Sequence, residues 1–114
     1  MVVFIKNLTF NCQDALVEAR FWAAVLGSDV DEDSSPAKAF VEATSWGGPN
    51  IWFNGGHDDA PGPTGPHLDL RGLGDMATEV DRLVELGAHV VRRAEHLTVL
   101  ADPEGHEFCV EGEP

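Results

Sequence analysis

Side chains able to hold or transform a small molecule are spread over both halves of the sequence. They comprise amides, indoles, an imidazole, carboxylates and a thiol, which hydrogen-bond, stack on rings or move protons. The set is Asn7, Trp46, Trp52, Asn54, His67, Asp69, Glu107 and Cys109. An uneven lining of polar and aromatic groups is typical of a small-molecule site, provided that the fold brings these positions to one surface.

Each of these groups also has a plain structural interpretation. His67 could contact a ligand, bind a metal ion or be a strand histidine satisfied by a neighbour. Trp52 is interpreted as stacking on a ligand or a dimer partner, and Trp46 as a rim residue in a turn. Cys109 is interpreted as a small buried apolar residue in preference to a nucleophile. The two carboxylates could hold a cation or act as bases, or they could be solvated or paired with arginine.

An internal repeat organises the elements that must position these side chains. Leu8-Thr9-Phe10 has a counterpart 60 residues later in Leu68-Asp69-Leu70, and Leu26-Gly27 has one in Leu86-Gly87. In each half the order is a strand, a helix that ends at glycine, and further strands. The predicted elements are strand Val2–Asn11, helix Asp14–Leu26, strands Lys38–Thr44 and Asn50–Asn54, strand His67–Arg71, helix Asp75–Leu86, and strands Ala88–Arg92, Leu97–Ala101 and Glu107–Glu111.

The predicted fold class is α+β, with two βαβββ modules that form a cupped mixed sheet with helices outside. We expect one domain over residues 1–114, with module one at 1–54, a flexible linker at 55–65 and module two at 66–114. Each helix covers one face of its sheet and leaves the other face open. Because side chains alternate along a strand, Asn7, Trp52, His67 and Cys109 should lie on the open faces.

Composition and charge limit the class of partner. The 114 residues include 20 Asp and Glu against 7 Lys and Arg, which gives a formal net charge of −13. A chain this acidic repels phosphate backbones and anionic membranes, so we expect a small-molecule ligand, no nucleic acid and no membrane. The two cysteines fit free thiols in a reducing compartment. The first residues lack a signal-peptide pattern. A cytoplasmic protein is therefore predicted.

Three segments, Ala19–Gly27, Gly65–Leu70 and Asp102–Val110, together resemble the vicinal-oxygen-chelate superfamily. That superfamily includes glyoxalase I, bleomycin-resistance proteins and extradiol dioxygenases. The resemblance runs nearly end to end, and its most specific part is the Asp-Pro-Glu-Gly turn of the closing segment. It implies paired βαβββ modules, often completed as a homodimer.

The resemblance also implies where a divalent metal ion would bind in the metal-dependent members. Carried over by residue, the four ligand positions fall on Asn7, Trp52, His67 and Cys109. His67 is the ordinary ligand among them, whereas an indole nitrogen only donates hydrogen bonds and cannot ligate. A stable site needs about three or four good ligands. No cofactor is therefore expected, although a divalent metal at His67 stays possible.

The sequence thus favours metal-independent binding of a small organic molecule, cationic or aromatic, as in drug-sequestering resistance proteins. The alternative is an enzyme of the same superfamily (a lyase, isomerase or dioxygenase) with a degenerate metal site. Such an enzyme would use His67 with ligands from the substrate, or His67 with Asp69 or Glu107 as acid–base groups. A third reading is an interaction module whose open face is closed by a partner.

Overall fold

The computed structural model of the chain describes residues 2, 4–43, 47–58, 68–72 and 74–112. The chain divides into two compact units, Met1–Asp59 and Ala60–Pro114. The described part contains two helices and two sheets of mixed strands, so the predicted α+β class is confirmed. No described helix combines the length and the apolar character needed to cross a membrane.

The first unit has the order strand, helix, strand, strand. Its elements are β1 (Asn7–Asn11), α1 (Ala15–Leu26), β2 (Lys38–Val41) and β3 (Asn50–Asn54). β3 lies in the middle of the sheet, where it pairs in parallel with β1 and antiparallel with β2. Beyond β2, Val30 forms a single antiparallel bridge to Val41.

Helix α1 is fixed at both ends by the residues expected from the sequence. The Asp14 carboxylate accepts hydrogen bonds from the backbone N–H groups of Leu16 and Val17. Gly27 ends the helix in the left-handed conformation, with φ of 67°, which glycine adopts without a Cβ clash. Ala19, Phe21, Trp22 and Ala23 are buried on this helix, whereas Leu16 and Leu26 near its two ends are half-buried.

The second unit repeats this order with one more full strand. It consists of β4 (Leu68–Arg71), α2 (Met76–Leu86), β5 (His89–Arg93), β6 (Leu97–Ala101) and β7 (Glu107–Glu111). The strand order is β4-β7-β6-β5, and only the β4–β7 pair among them is parallel. In both units, therefore, the first strand pairs in parallel with the last one.

Helix α2 begins after Asp75, whose carboxylate accepts from the backbone N–H of Thr78 at 2.8 Å. Hydrogen bonds from Thr78 favour the charged carboxylate and lower the pKa of Asp75. Val84, which follows the buried Leu83, is 43% exposed. The buried α2 residues Met76, Val80 and Leu83 lie on the side that packs towards β7.

Two predicted strands are longer than the observed ones. The first was expected from Val2, whereas β1 begins at Asn7, where pairing with Asn50 of β3 starts. β2 was expected to reach Thr44, which lies outside the described residues, but it ends at Val41. β2 does not continue because the Ala43 backbone N–H donates to the side-chain oxygen Oδ1 of Asn50 at 2.8 Å, and not to a backbone carbonyl of the neighbouring strand.

The segment expected as a flexible linker starts with backbone hydrogen bonds to the first unit. Gly55 donates to the Ala37 carbonyl at 2.8 Å, and the backbone N–H groups of Gly56 and His57 donate to carbonyls before α1, each at 2.9 Å. Gly55 also passes so close to Pro36 that a Cβ there would overlap the Pro36 carbonyl oxygen. These contacts hold the residues that follow β3 against the residues that precede β2 and α1.

Candidate functional site

The face of the first sheet opposite α1 carries polar and aromatic side chains, and we call it the first open face. Ile51 and Phe53 of β3 are buried with α1, so the residues between and beside them point the other way. Paired residues of neighbouring strands share a face, which defines the whole set. Its members are Asn7, Thr9 and Asn11 of β1, Lys38 and Phe40 of β2, and Asn50, Trp52 and Asn54 of β3.

The middle of the first open face is aromatic. The rings of Phe40 and Trp52 are paired directly across β2 and β3, with centroids 4.5 Å apart and planes inclined by 46°. The Lys38 ammonium lies 5.0 Å from the centroid of the Trp52 ring, within the range of a cation–π contact. Trp52 is half-buried. Its ring is therefore held in place by packing while part of its surface stays accessible.

Two asparagine pairs flank the aromatic centre. Asn50 Nδ2 donates to Asn7 Oδ1 at 3.1 Å, and Asn54 Nδ2 donates to Asn11 Oδ1 at 3.5 Å. Asn50 Oδ1 is itself an acceptor for a backbone N–H, which fixes the orientation of that amide. Both pairs thus run in the same sense, with the β3 amide donating and the β1 amide accepting.

The second sheet also has a face opposite its helix, which we call the second open face. A row of paired residues crosses it from Asp69 through Cys109 and Val99 to Arg92. By strand alternation, further charged groups lie on the same face. These are Arg71, Glu107 and Glu111.

Cys109 lies at the centre of the second open face and is only 8% exposed. Burial raises the pKa of its thiol, and the nearby carboxylates of Asp69 and Glu111, followed by that of Glu107, raise it further. Arg92 acts in the opposite direction. The thiol is consequently protonated at neutral pH, which suits a small buried apolar group and not a nucleophile.

The β6–β7 turn is built around a buried aspartate that the sequence analysis did not single out. Asp102 is 1% exposed, and its Oδ1 accepts from the backbone N–H groups of Glu104 at 3.0 Å and His106 at 2.9 Å. His106 Nδ1 lies 3.2 Å from the same oxygen. The signal was the Asp-Pro-Glu-Gly pattern, which predicts the turn but not the burial of its first residue.

A second buried carboxylate lies on α1. Glu18 is 1% exposed, and its Oε2 accepts from Trp22 Nε1 at 3.3 Å, one helical turn further on. The i, i+4 spacing of the two residues places them on one side of the helix and could have indicated the pair.

The sequence-derived site residues fall into three groups. Asn7, Trp52 and Asn54 lie on the first open face, whereas Asp69, Glu107 and Cys109 lie on the second. Trp46 and His67 lie outside the described residues. The cup that would join the two faces stays a prediction.

Five members of the first open face were not among the predicted site residues, namely Thr9, Asn11, Lys38, Phe40 and Asn50. The alternation rule was used for the predicted strands Val2–Asn11 and Asn50–Asn54 but not for the predicted strand Lys38–Thr44. Applied there, it would have placed Lys38 and Phe40 on the same side as Trp52, because Ala39 and Val41 are apolar.

The described residues at the metal positions implied by the resemblance do not fit a divalent ion. The Trp52 indole nitrogen carries no lone pair for coordination, and its ring is packed on Phe40. Asn7 Oδ1 already accepts the Asn50 amide. Cys109 would have to lose a proton that burial and nearby carboxylates help it to retain. None of these three residues is therefore a good ligand.

Comparisons with known proteins agree with this topology. A family model described as glyoxalase-like domain matches residues 7–111. No curated protein sequence matches the chain significantly.

Solved structures with the same fold come from several bacteria. A glyoxalase-related enzyme from Fulvimarina pelagi has a TM-score of 0.72 and 19% identity, covering 99% of this chain and 90% of that one. A glyoxalase/bleomycin resistance protein/dioxygenase family enzyme from Burkholderia phytofirmans has a TM-score of 0.66 and 20% identity, with 96% and 98% covered. The fosfomycin resistance protein FosX from Listeria monocytogenes, complexed with Mn(II) and 1S,2S-dihydroxypropylphosphonic acid, has a TM-score of 0.71 and 16% identity, with 100% and 93% covered.

Proposed function

The chain belongs to the glyoxalase-like domain family, and we propose that it binds a small aromatic molecule on its first open face. In this proposal no metal ion is bound at the four ligand positions implied by the resemblance. The observation that carries the proposal is the setting of Trp52. Its half-buried ring packs on Phe40 at 4.5 Å and lies between two asparagine pairs. A fixed ring with amides on both sides offers stacking and directional hydrogen bonds to a flat ligand.

The charge next to the ring favours an aromatic over a cationic ligand, the two classes left open by the sequence. The Lys38 ammonium is 5.0 Å from the Trp52 centroid. A cationic ligand in contact with this ring would therefore lie close to the positive charge of Lys38. A second positive charge there would be repelled. The acidic net charge of the whole chain acts over a longer range and is screened by salt.

Metal independence is supported by the chemistry of Asn7, Trp52 and Cys109, which offer no good ligand set. The alternative is an enzyme of the same superfamily. It would depend on His67, with Asp69 or Glu107 as acid–base groups. Asp69 and Glu107 belong to the second open face. The enzyme alternative therefore depends on residues of the second sheet, whereas the proposed ligand site consists of residues of the first sheet.

The test is the binding of a neutral flat probe, 2-naphthamide, measured by isothermal titration calorimetry. Trp52→Ala should weaken binding by about tenfold or more, since stacking on an aromatic side chain contributes about 1–3 kcal/mol per ring. The matched control is Val99→Ala, which shortens an apolar residue at the centre of the second open face. Both variants should keep the circular dichroism spectrum of the parent.

An unchanged affinity in Trp52→Ala, or an equal loss in Val99→Ala, would contradict the proposed site. Metal independence is tested separately by native mass spectrometry after exposure to Ni²⁺, Zn²⁺ and Fe²⁺. The proposal predicts no stoichiometric ion that disappears in His67→Ala. Such an ion would instead support the enzyme alternative.

A cytoplasmic location and a homodimer complete the proposal. Cys12 and Cys109 are buried thiols that are not joined in a disulfide, which suits a reducing compartment. Phe4 and Ile5 are 84% and 70% exposed, and apolar side chains this exposed are often covered by a partner. Light scattering coupled to gel filtration should give twice the chain mass of 12.3 kDa, whereas the mass of a monomer would contradict the dimer.

A further inference from the structure

We propose that the ligand of the first open face is an aromatic carboxylate, with its ring on Trp52 and its carboxylate beside Lys38, Asn11 and Asn54. This inference rests on the proposed function and names its ligand class. It follows from the order in which polar and aromatic groups are arranged across the sheet.

The first open face consists of rows that run across the strands. The central row pairs Thr9 with Trp52 and Trp52 with Phe40. The next row pairs Asn11 with Asn54 and Asn54 with Lys38. Rows on one face lie two residues apart, or about 7 Å along the strands. A ring on the central row can therefore extend a short substituent towards the neighbouring row.

The neighbouring row offers hydrogen-bond donors. Asn54 Nδ2 donates to Asn11 Oδ1, so the acceptor atom of Asn11 is engaged within the pair. The Asn11 Nδ2 group then has N–H donors to offer to a ligand. Lys38 belongs to the same row by its backbone, and its ammonium reaches to 5.0 Å from the Trp52 centroid, which adds a charged donor beside the ring. Donors and a positive charge together fit a carboxylate, which accepts hydrogen bonds on both oxygens.

The two ends of the face differ in charge, which gives the ligand a direction. Asn7 and Asn50 repeat the amide pair on the other side of the central row. The charged member of the first open face is Lys38, and it lies at the end that holds Asn11 and Asn54. The described residues include no ion pair to Lys38. A ligand anion can thus approach it without displacing a carboxylate of the protein.

The net charge of −13 opposes any anion, and distance decides between the two effects. Charges in solvent separated by more than about 10 Å are largely screened at 0.1 M salt. The Lys38 ammonium is 5.0 Å from the Trp52 centroid, so a carboxylate attached to a ring on Trp52 would lie close to this ammonium, where screening is weak. The local positive charge therefore determines the preference between ligands of the same shape at physiological salt.

The experiment compares three probes of one shape and three charges: 2-naphthoate, 2-naphthamide and 2-naphthylmethylammonium. Calorimetry on the full chain at 0.15 M salt should give an affinity for 2-naphthoate about tenfold above that for 2-naphthamide, with the cation weakest. Lys38→Gln should bring the ratio of the 2-naphthoate and 2-naphthamide affinities, both measured on the same variant, down to about one. Lys6→Gln is the matched control, because Lys6 and Lys38 are the lysines of the sequence and Lys6 lies outside the face.

The outcomes separate this inference from the function on which it rests. Binding of 2-naphthamide that depends on Trp52, but is equal to or tighter than that of 2-naphthoate, would overturn the carboxylate and retain the site. A preference that survives in Lys38→Gln, or is lost equally in Lys6→Gln, would also overturn it. Failure of all three probes to bind in a Trp52-dependent way would remove the proposed function itself.

Discussion

The open faces of the two sheets share a topology but have different chemistry. In each unit the first strand pairs in parallel with the last, and one face packs towards a helix capped by aspartate. The first open face has an aromatic centre between asparagine pairs. The second has a buried thiol and a valine at its centre, with acids and arginines around them.

The difference shows which part of a repeated fold is free to vary. Residues that face the helix must be apolar to form the core, as Phe53 and Phe108 do in the two units. Residues on the other face carry no such requirement, so a ligand or a partner can determine them. A binding function on one face therefore does not imply one on the other.

The largest effect is expected at Gly55, which follows β3 and donates to the Ala37 carbonyl just before β2. In Gly55→Ala the new Cβ would overlap the Pro36 carbonyl oxygen, a backbone atom that cannot move alone. We expect a loss of about 3 kcal/mol in the free energy of unfolding, the upper part of the usual range for overpacking. Urea unfolding followed by circular dichroism measures it.

The control is Gly74→Ala in the second unit, where a Cβ meets no atom within 4 Å and the backbone is not left-handed. This variant should be as stable as the parent or slightly more so. Equal losses in the two variants would show that the close approach at Pro36 does not restrain the first sheet.

The next effect concerns the second sheet and the Asp102 turn. Asp102→Ala removes a buried acceptor from the backbone N–H groups of Glu104 and His106, and about 2 kcal/mol of unfolding free energy should be lost. The matched variant is Asp31→Ala, since Asp31 accepts a similar bond from the Asp33 N–H at an exposed turn. It should cost less than about 0.5 kcal/mol. Similar costs would contradict the role given to burial.

The smallest effect concerns the thiol of the second open face. Because burial and carboxylates raise the pKa of Cys109, its thiolate fraction at pH 8 is below that of an ordinary cysteine, and alkylation by iodoacetamide should be slow. The rate should rise as the pH increases towards the raised pKa. Asp69→Asn removes one raising charge and should speed modification about twofold, as read from peptide mass spectrometry.

Asp81→Asn is the control for net charge, because Asp81 lies on α2 and not on the second open face. Equal rates in the two variants would mean that the total charge, and not the Asp69 carboxylate, affects Cys109. A rate at pH 8 equal to that of a free cysteine would contradict the raised pKa.

Much of the fold could be predicted from local sequence signals. The aspartates before both helices, the glycines after them and the Asp-Pro-Glu-Gly turn all act within a few residues, and the structure confirms them. The strands Asn50–Asn54, Leu97–Ala101 and Glu107–Glu111 have the predicted bounds. These three lie in the interior of a sheet, where pairing on both sides determines the whole strand.

The misplaced features depend on partners distant in the sequence. β1 starts at Asn7, where pairing with β3 begins. β2 ends at Val41, and beyond it the Ala43 N–H donates to the side chain of Asn50 and not to the backbone of β3. Trp52 could be placed on an open face from alternation alone. The contacts that define its surroundings, with Phe40 and Lys38, depend on a strand more than ten residues away and on its register.

Nuclear magnetic resonance can show residue by residue whether an aromatic ligand lies on the first open face. Titration of the ¹⁵N-labelled chain with 2-naphthoate follows the Trp52 indole N–H, assigned with Trp52→Phe, and the asparagine side-chain amides. We expect saturable shifts of Trp52, Asn11 and Asn54, with the backbone amides of Val99 and Cys109 unchanged. Shifts confined to the second open face, or no saturable shift of Trp52, would contradict it.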